Sequence, residues 1–432
     1  MPSSDSRAAQ KGSYVGDANT PDARIEKPVA TEKKSDADTE ESVAEELAIG
    51  DQDVAEAPEL TTGGRWLRWV GVAFLFYSLI ASIDIIGDGF GMATGGRAEE
   101  LFAYAENPMV GLLIGILATT MIQSSSTTTS IVVGLVAGGL PVEIAVPMIM
   151  GANIGTTVTN TLASLGTVGQ REPFRRAFAA ATVHDFFNLL AVVIFLPLEI
   201  MTGFLANSAG WLAGIFEGSG GANTDDADIV SMATSPVVGA AEWGTGLVSQ
   251  EVTQGIILAI IGAAGILIVV RLLGMILGQL MVGRAKMLLH KSIGRGPVAG
   301  ITSGAAVTVL AQSSSVTTSL MIPLAAANTL TLKQIYPYTL GANIGTTLTA
   351  LIAAMAASEH AEAALTIALV HLLFNVFATA FIYGIPFLRN LPLRGATGLA
   401  NAATKNKWYV VAWVVGVYLA LPAAIVAVSV IV

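Results

Sequence analysis

Two stretches of small polar residues decide how this chain folds. The first reads QSSSTTTS over residues 123–130, and GANIGTT follows it over 151–157. The second reads QSSSVTTS over 312–319, and GANIGTT follows it over 341–347. The first serine and the first glycine are 27 residues apart in one copy and 28 in the other. A seven-residue identity beside a shared QSSS at this spacing predicts an internal repeat.

A third element extends both copies. HDFFN occupies 184–188 and HLLFN occupies 371–375, so a histidine and an asparagine recur at matching places. We therefore place repeat 1 over 108–200 and repeat 2 over 297–388. Because Gly, Ser, Thr, Asn and Pro interrupt both apolar regions, we predict discontinuous or re-entrant helices within them.

Composition places these repeats in a membrane. The 432 residues are 53% hydrophobic and 12% charged, which is about half the charged share of a soluble domain. The apolar segments long enough to cross a hydrocarbon layer of ~30 Å lie at 67–87, 177–199, 253–283, 364–387 and 408–431. The absence of cysteine, of a triplet period and of a basic excess argues against disulfide-stapled, collagen-like and nucleic-acid-binding proteins. The chain is predicted to be an all-α membrane protein, a polytopic helical bundle.

Most of the net charge lies near the N terminus. Residues 1–60 carry fifteen acidic and six basic side chains, which is −9 of the chain's −10. Apart from Tyr14 this stretch has no aromatic residue, and it shows no helical or alternating apolar period. We predict that 1–62 is a disordered, acidic, cytoplasmic tail.

Basic residues set the orientation, because Lys and Arg collect in cytoplasmic loops. Segment 201–251 has several acids and no Lys or Arg, so it is predicted to be an external loop. The basic residues assigned to the cytoplasmic side are Arg65, Arg68, Arg171, Arg175, Arg176, Arg284, Lys286, Lys291, Arg295, Arg389, Arg394, Lys405 and Lys407. The remaining predicted segments are a first transmembrane helix with an external loop (63–107), a linking transmembrane helix with a basic cytoplasmic loop (252–296), and a cytoplasmic loop with the last transmembrane helix (389–432).

This scheme gives the two repeats opposite orientations. The helix with HDFFN runs from the inside to the outside, whereas the helix with HLLFN runs from the outside to the inside. Inverted repeats with broken helices that meet at the midplane are the architecture of secondary transporters.

The residue types in the repeats suit an anion and Na⁺. Gly151, Gly155, Gly341 and Gly345 are expected to break their helices. A broken helix offers free N–H groups to an anion and free carbonyl groups to a cation. Hydroxyl groups and the amides of Gln and Asn, including those of Asn153 and Asn343, can serve both ions. Phosphate with sodium fits these groups, and a soft transition metal does not.

Charged and titratable residues inside apolar helices need separate interpretation. Asp185 is the only carboxylate between Glu172 and Glu199, and an intramembrane acid is a functional hypothesis. Asn188 is expected on the same helical face. Arg271 lies in an apolar run, where snorkelling or an early helix end is favoured over a substrate contact. For His184 and His371 a structural hydrogen bond across the bundle is favoured over proton transfer.

These motifs resemble the type II sodium–phosphate cotransporter family over about 108–388, and the lack of cysteine in 201–251 favours a prokaryotic-type member. The resemblance implies that Gln123, Ser124, Ser125, Gln312, Ser313 and Ser314 bind phosphate. The residues expected to bind sodium are Asn153, Thr156, Asp185, Asn188, Gln312, Ser313, Asn343, Thr346 and Thr349. Asp185 stands in ATVHD, whose acid the family associates with electrogenic transport.

The sequence therefore predicts a sodium-coupled symporter that imports inorganic phosphate across the plasma (inner) membrane by alternating access. Sodium is the coupling ion, no cofactor or nucleic acid is expected, and lipid surrounds the chain. Two alternatives within transport are another oxyanion, such as sulfate or arsenate, and coupling to H⁺. A more distant alternative is an anion channel or a phosphate-sensing membrane protein. An enzyme is not expected, because no nucleophile set or metal-ligand cluster is evident.

Overall fold

A computed structural model describes residues 62–95, 107–218, 224–292, 295–355, 357, 360–420 and 422–424. The acidic tail predicted over 1–62 lies outside these residues except for its last position. The end of the last predicted span, 425–432, also lies outside them. Throughout the described part the chain is helical and forms no strand.

The helices of the first half are α1 Thr62–Thr94, α2 Pro108–Ile122, α3 Ser125–Ala137, α4 Val142–Gly155, α5 Val158–Ser164, α6 Arg171–Thr202, α7 Phe204–Gly218 and α8 Thr224–Thr245. Those of the second half are α9 Glu251–Ser292, α10 Pro297–Ala311, α11 Ser314–Ser319, α12 Met321–Ala326, α13 Leu332–Ala354, α14 Ala361–Ala378, α15 Pro386–Lys405 and α16 Trp408–Val415. Single π-turns follow α14 at Thr379–Tyr383 and α16 at Gly416–Ala420.

Five stretches among the described helices are long and apolar enough to cross a bilayer. They are Gly63–Thr94, Val142–Thr167, Arg171–Thr202, Glu251–Leu280 and Ala361–Tyr383. Four of them coincide with predicted apolar segments, whereas the stretch that begins at α4 lies in a region expected to be broken. The prediction of an all-α membrane protein is confirmed.

Several segments predicted as loops contain helices. Most of 201–251 is taken up by α7 and α8. The basic residues near 284–291 lie on α9, which continues to Ser292 instead of ending in a loop. The basic stretch after 388 forms α15, because small residues such as Ala396 and Ala400 bury one of its faces against α6 while charged residues occupy another.

The helix breaks that the two repeats share lie at the QSSS motifs. Gln123 ends α2 with φ 59° and Gln312 ends α10 with φ 50°, both left-handed. The next residues, Ser124 and Ser313, are extended and begin new helices. Gly151 lies inside α4, and Gly341 and Gly345 lie inside α13, which continues unbroken, whereas α4 ends at Gly155 and α5 begins at Val158. The prediction that these glycines break their helices was wrong for Gly151, Gly341 and Gly345, and it agrees with the helix end at Gly155.

The glycines instead let parallel helices touch. A Cβ added to Gly151 would lie 2.1 Å from the carbonyl oxygen of Leu112, and one added to Gly341 would lie 1.9 Å from that of Ile301. These contacts pack α4 on α2 and α13 on α10. Small residues four apart are the usual means of close helix packing in membranes, where lipid removes the hydrophobic driving force. Each QSSS turn therefore lies at the C-terminal end of one helix, α2 or α10, of a tightly packed pair.

A long helix precedes each of these pairs, α1 in the first half and α9 in the second. Glycines on each of these helices contact the backbone of the other helix: Gly89 of α1 lies against Ala259, and Gly255 of α9 lies against Ala93. The residue numbers fall on one helix as they rise on the other, so α1 and α9 are antiparallel. This packing holds the middle of α9 beside α10 and its QSSS turn.

Candidate functional site

The two QSSS turns have the same local construction. The hydroxyl of Ser124 accepts a hydrogen bond from the backbone N–H of Thr127 at 3.3 Å, and that of Ser313 accepts one from Val316 at 3.3 Å. Ser is a preferred residue at this position because its oxygen satisfies an otherwise unpaired N–H of the first helical turn. The chain can therefore reverse inside an apolar region without leaving these groups unpaired.

The glutamine side chains close each turn in the same way. The Gln123 amide nitrogen donates to the carbonyl of Thr120, and the Gln312 amide nitrogen donates to that of Val309 at 2.7 Å. Their amide oxygens accept hydrogen bonds from threonines that lie just after the GANIGTT motifs: Thr159 of α5 bonds Gln123 at 2.9 Å and Thr349 of α13 bonds Gln312 at 3.0 Å. Both glutamines are thus fixed at both ends.

Both turns line a single cavity of about 370 Å³. The residues predicted to bind phosphate that line it are Gln123, Ser124, Ser125, Gln312, Ser313 and Ser314. The third serines, Ser126 and Ser315, line it as well. Side chains 189 positions apart in sequence therefore face one small space, which is rich in hydroxyl groups that donate and accept hydrogen bonds.

Arg271 also lines this cavity. The expectation that its helix ends early was wrong, because α9 continues to Ser292. The expected snorkelling of its side chain stays a prediction. Packing of α9 against α10 turns this part of the helix towards the QSSS turns. The sequence could not predict that Arg271 faces the cavity. The residue pattern of a helix that is apolar on most sides does not show which helices pack against which face.

A buried network of amides and imidazoles joins the two repeats. His184 lies with Nε2 2.6 Å from the side-chain oxygen of Asn343, whose amide donates to Asn188 at 2.8 Å. The equivalent contact runs from repeat 2 to repeat 1, where Nε2 of His371 lies 3.2 Å from the side-chain oxygen of Asn153. The Asn153 amide donates to Asn375 at 2.9 Å.

These contacts are reciprocal. The histidine and asparagine on the HDFFN helix of repeat 1 bond the GANIG asparagine of repeat 2, and the matching residues of repeat 2 bond the GANIG asparagine of repeat 1. Reciprocal contacts between equivalent residues are what a two-fold relation produces. Both histidines make the structural hydrogen bonds that were predicted, and both are fully buried.

Comparison with known proteins agrees with this geometry. The family model described as Na⁺/Pi-cotransporter matches residues 78–208 and 265–388, which include both QSSS turns, both GANIGTT motifs and both histidine helices. The chain belongs to the Na⁺/Pi-cotransporter family.

Similar members of this family are known from animals. The chain is 33% identical to sodium-dependent phosphate transport protein 2B of Pongo abelii over 83% of its own length and 64% of that protein. It is 34% identical to sodium-dependent phosphate transport protein 2A of Rattus norvegicus over 82% of its own length and 66% of that protein. The chain thus spans slightly less than two-thirds of the curated relatives it matches. No solved structure matches it.

The residues predicted to bind sodium fall into separate groups in the structure. Gln312, Ser313 and Thr349 lie at the second QSSS turn. Asn153, Asn188 and Asn343 belong to the amide network, where the Asn188 amide also donates to the Asn153 carbonyl at 2.7 Å. Two threonines, Thr156 and Thr346, are buried and bond carbonyls four residues earlier in their own helices.

Asp185 has different surroundings from Asn188, although a common face was expected. Its Oδ2 accepts a hydrogen bond from the Trp413 indole nitrogen at 2.8 Å, whereas Oδ1 accepts none from the described residues. Thr157 and Tyr418, whose hydroxyls are 2.6 Å apart, lie next to this carboxyl. Trp413 and Tyr418 come from the C-terminal part of the chain, where no motif pointed to them.

Two polar contacts of the site escaped the sequence interpretation. Thr159 is the counterpart of Thr349 when the GANIGTT motifs are aligned, so a full alignment of the repeats would have found it. Asn160 donates to the Thr318 hydroxyl at 2.8 Å and so ties the first half to the second QSSS segment. Its counterpart, Ala350, has no amide, so the repeat gave no signal for this contact.

Removing one network amide tests its role. Asn343→Ala leaves Nε2 of His184 and the side-chain oxygen of Asn188 without a partner, and each unpaired buried group costs about 1–3 kcal/mol. We expect a clear fall in the thermal unfolding temperature of the purified protein in detergent. Asn401→Ala, on the exposed part of α15, is the control and should leave this temperature unchanged. Equal unfolding temperatures for the two variants would contradict a structural role for the network.

Proposed function

We propose that this protein imports inorganic phosphate together with Na⁺ across the plasma (inner) membrane. The observation that carries the proposal is that two matching hydroxyl-rich turns, one from each repeat, line the same cavity. Membership of the Na⁺/Pi-cotransporter family, and similarity to sodium-dependent phosphate transport proteins 2A and 2B, support the same function.

The cavity suits phosphate because its lining supplies many donors without fixed negative charge. Ser124 and Ser125 stand at the start of α3, where backbone N–H groups and the helix dipole favour an anion. Ser313 and Ser314 contribute the matching groups from the other turn. We infer that these serines, with Gln123 and Gln312, hold the phosphate oxygens.

Oxygen atoms around the turns suit Na⁺. The carbonyl oxygen of the Gln312 side chain and the hydroxyls of Ser313 and Thr349 are the hard ligands that such an ion prefers. Thr156 and Thr346 donate their hydroxyl protons within their own helices, which leaves oxygen lone pairs to accept a cation.

The amide network and the lone acid extend the sodium proposal. Asn153, Asn188 and Asn343 are buried and could exchange a mutual bond for an ion as the repeats move. Asp185 has a buried carboxylate oxygen without a hydrogen bond among the described residues. A buried acid in that state is stable only when protonated or paired with a cation. We propose that it takes one Na⁺.

Reciprocal contacts also support inverted repeats and alternating access. Equivalent residues of the two repeats bond each other crosswise, and the helices that precede them, α1 and α9, run antiparallel. A site between two such halves can open to one side and then the other when one half moves against its partner. Direction and mechanism of transport are part of the proposal.

Phosphate uptake into proteoliposomes tests the function. Ser124→Ala and Ser313→Ala should each raise the phosphate KM by about 10–100-fold, the effect of losing a hydrogen bond to a charged ligand. Ser124→Thr retains the helix cap and the hydroxyl and should keep most activity, and Ser235→Ala on α8 is a neutral control.

The same assay separates the alternatives. Uptake by the unmodified protein should saturate and should stop when choline or K⁺ replaces Na⁺. Uptake that persists without Na⁺ would support H⁺ coupling or a channel, and equal competition by sulfate would support a broader oxyanion carrier. Any of these outcomes would contradict sodium-coupled phosphate import.

Electrogenic transport depends on Asp185. If it holds one Na⁺ beyond those that neutralise HPO₄²⁻, the membrane potential contributes about 2.3 kcal/mol per charge per 100 mV. We expect Asp185→Asn to abolish the phosphate-induced current while labelled phosphate uptake continues. A current of wild-type size per phosphate in this variant would exclude the role.

A further inference from the structure

We propose that Arg271 provides the positive charge that selects doubly charged phosphate in the QSSS cavity. This inference rests on the proposed function and names a specificity-determining residue that lies outside both QSSS turns. Arg271 belongs to α9, the long helix that precedes repeat 2, and not to any of the repeated motifs.

One face of α9 forms a wall of the cavity. Its lining residues recur at helical spacing, and they are Leu267, Val270, Arg271, Gly274 and Met275. A Cβ added to Gly274 would lie 3.9 Å from the carbonyl oxygen of Gln312, so this face runs directly beside the second QSSS turn. The position of Arg271 therefore follows from backbone packing as well as from its own side chain.

Arg271 has no counter-ion within the part of the chain that the structure describes. Among the described residues no carboxylate lies within salt-bridge distance of it, and it makes no hydrogen bond to another residue. An arginine in a membrane-spanning helix normally faces a polar cavity and pairs with an opposite charge. The QSSS cavity supplies the polar surroundings, and an anionic ligand would supply the charge.

No other lining residue can select the charge of the ligand. The other described lining residues carry hydroxyl, amide or apolar side chains or are glycine, so Arg271 is the one charged residue among them. Hydroxyls donate or accept as required and bind neutral and charged ligands alike. A guanidinium remains protonated and offers a planar pair of donors to two phosphate oxygens. The positive charge of the guanidinium attracts the phosphate dianion more strongly than the monoanion.

Three variants in proteoliposomes test this inference. Arg271→Gln should raise the phosphate KM by at least about tenfold, with Vmax and the sodium KM little changed. Arg271→Lys keeps the positive charge but loses the planar pair of donors. Its phosphate KM should therefore lie between those of the unmodified protein and of Arg271→Gln. Arg295→Gln removes an exposed cation outside the cavity and should match the unmodified protein.

The pH dependence of KM provides a second readout. As the pH falls and HPO₄²⁻ takes up a proton, KM for total phosphate should rise in the unmodified protein and change much less in Arg271→Gln. A merely structural arginine would not alter this dependence. An unchanged KM and an unchanged pH profile in Arg271→Gln, with normal expression and unfolding temperature, would overturn the inference.

Binding measured without transport separates this inference from the proposed function. Inorganic phosphate with NaCl should raise the unfolding temperature of the purified protein and of Arg295→Gln, but not that of Arg271→Gln at the same concentration. Stabilisation that requires Arg271 in a protein without Na⁺-dependent uptake would support the inference and contradict the transport function. Equal stabilisation of Arg271→Gln would overturn the inference alone.

Discussion

The structure depends on how two helices can end inside an apolar layer without leaving backbone groups unpaired. In water such ends are solvated, but within hydrocarbon each unpaired group costs several kcal/mol. The QSSS motif pairs these backbone groups locally. The glutamine adopts the left-handed conformation that ends one helix, and the side chain of the following serine caps the next helix. The groups that stabilise the turn belong to the class that binds an anion, so the same residues serve the fold and the proposed site.

Close packing gives these turns a fixed position. Glycines in the GANIG motifs let α4 touch α2 and α13 touch α10, and the threonines behind them hold the two glutamines. The amide and histidine network then connects one repeat to the other. The network consists of neutral side chains, which can exchange partners at less electrostatic cost than buried ion pairs. Such a contact is suited to halves that move relative to each other.

The sequence predicted the parts of the molecule that repeat and missed those that do not. The paired QSSS motifs led to the cavity because their identity and spacing could be read directly. Gly151, Gly341 and Gly345 were assigned the wrong local structure because glycine serves both helix breaking and helix packing, and only the neighbouring helix decides between them. For Arg271 the deciding information was the rotation of α9, which depends on the packing of α1 and α10. The partners of Asp185 come from the end of the chain, where no motif stands.

The two QSSS turns face each other across one small cavity. The chain has no natural cysteine, so cysteines placed together at Ser126 and Ser315 can be treated with a short bifunctional thiol reagent in membranes. We expect an intramolecular cross-link in the double variant, which blocks phosphate uptake and forms more slowly when phosphate and Na⁺ are present. If each single cysteine reacts with a monofunctional reagent but the pair never cross-links, the two turns do not share a cavity and the account is wrong.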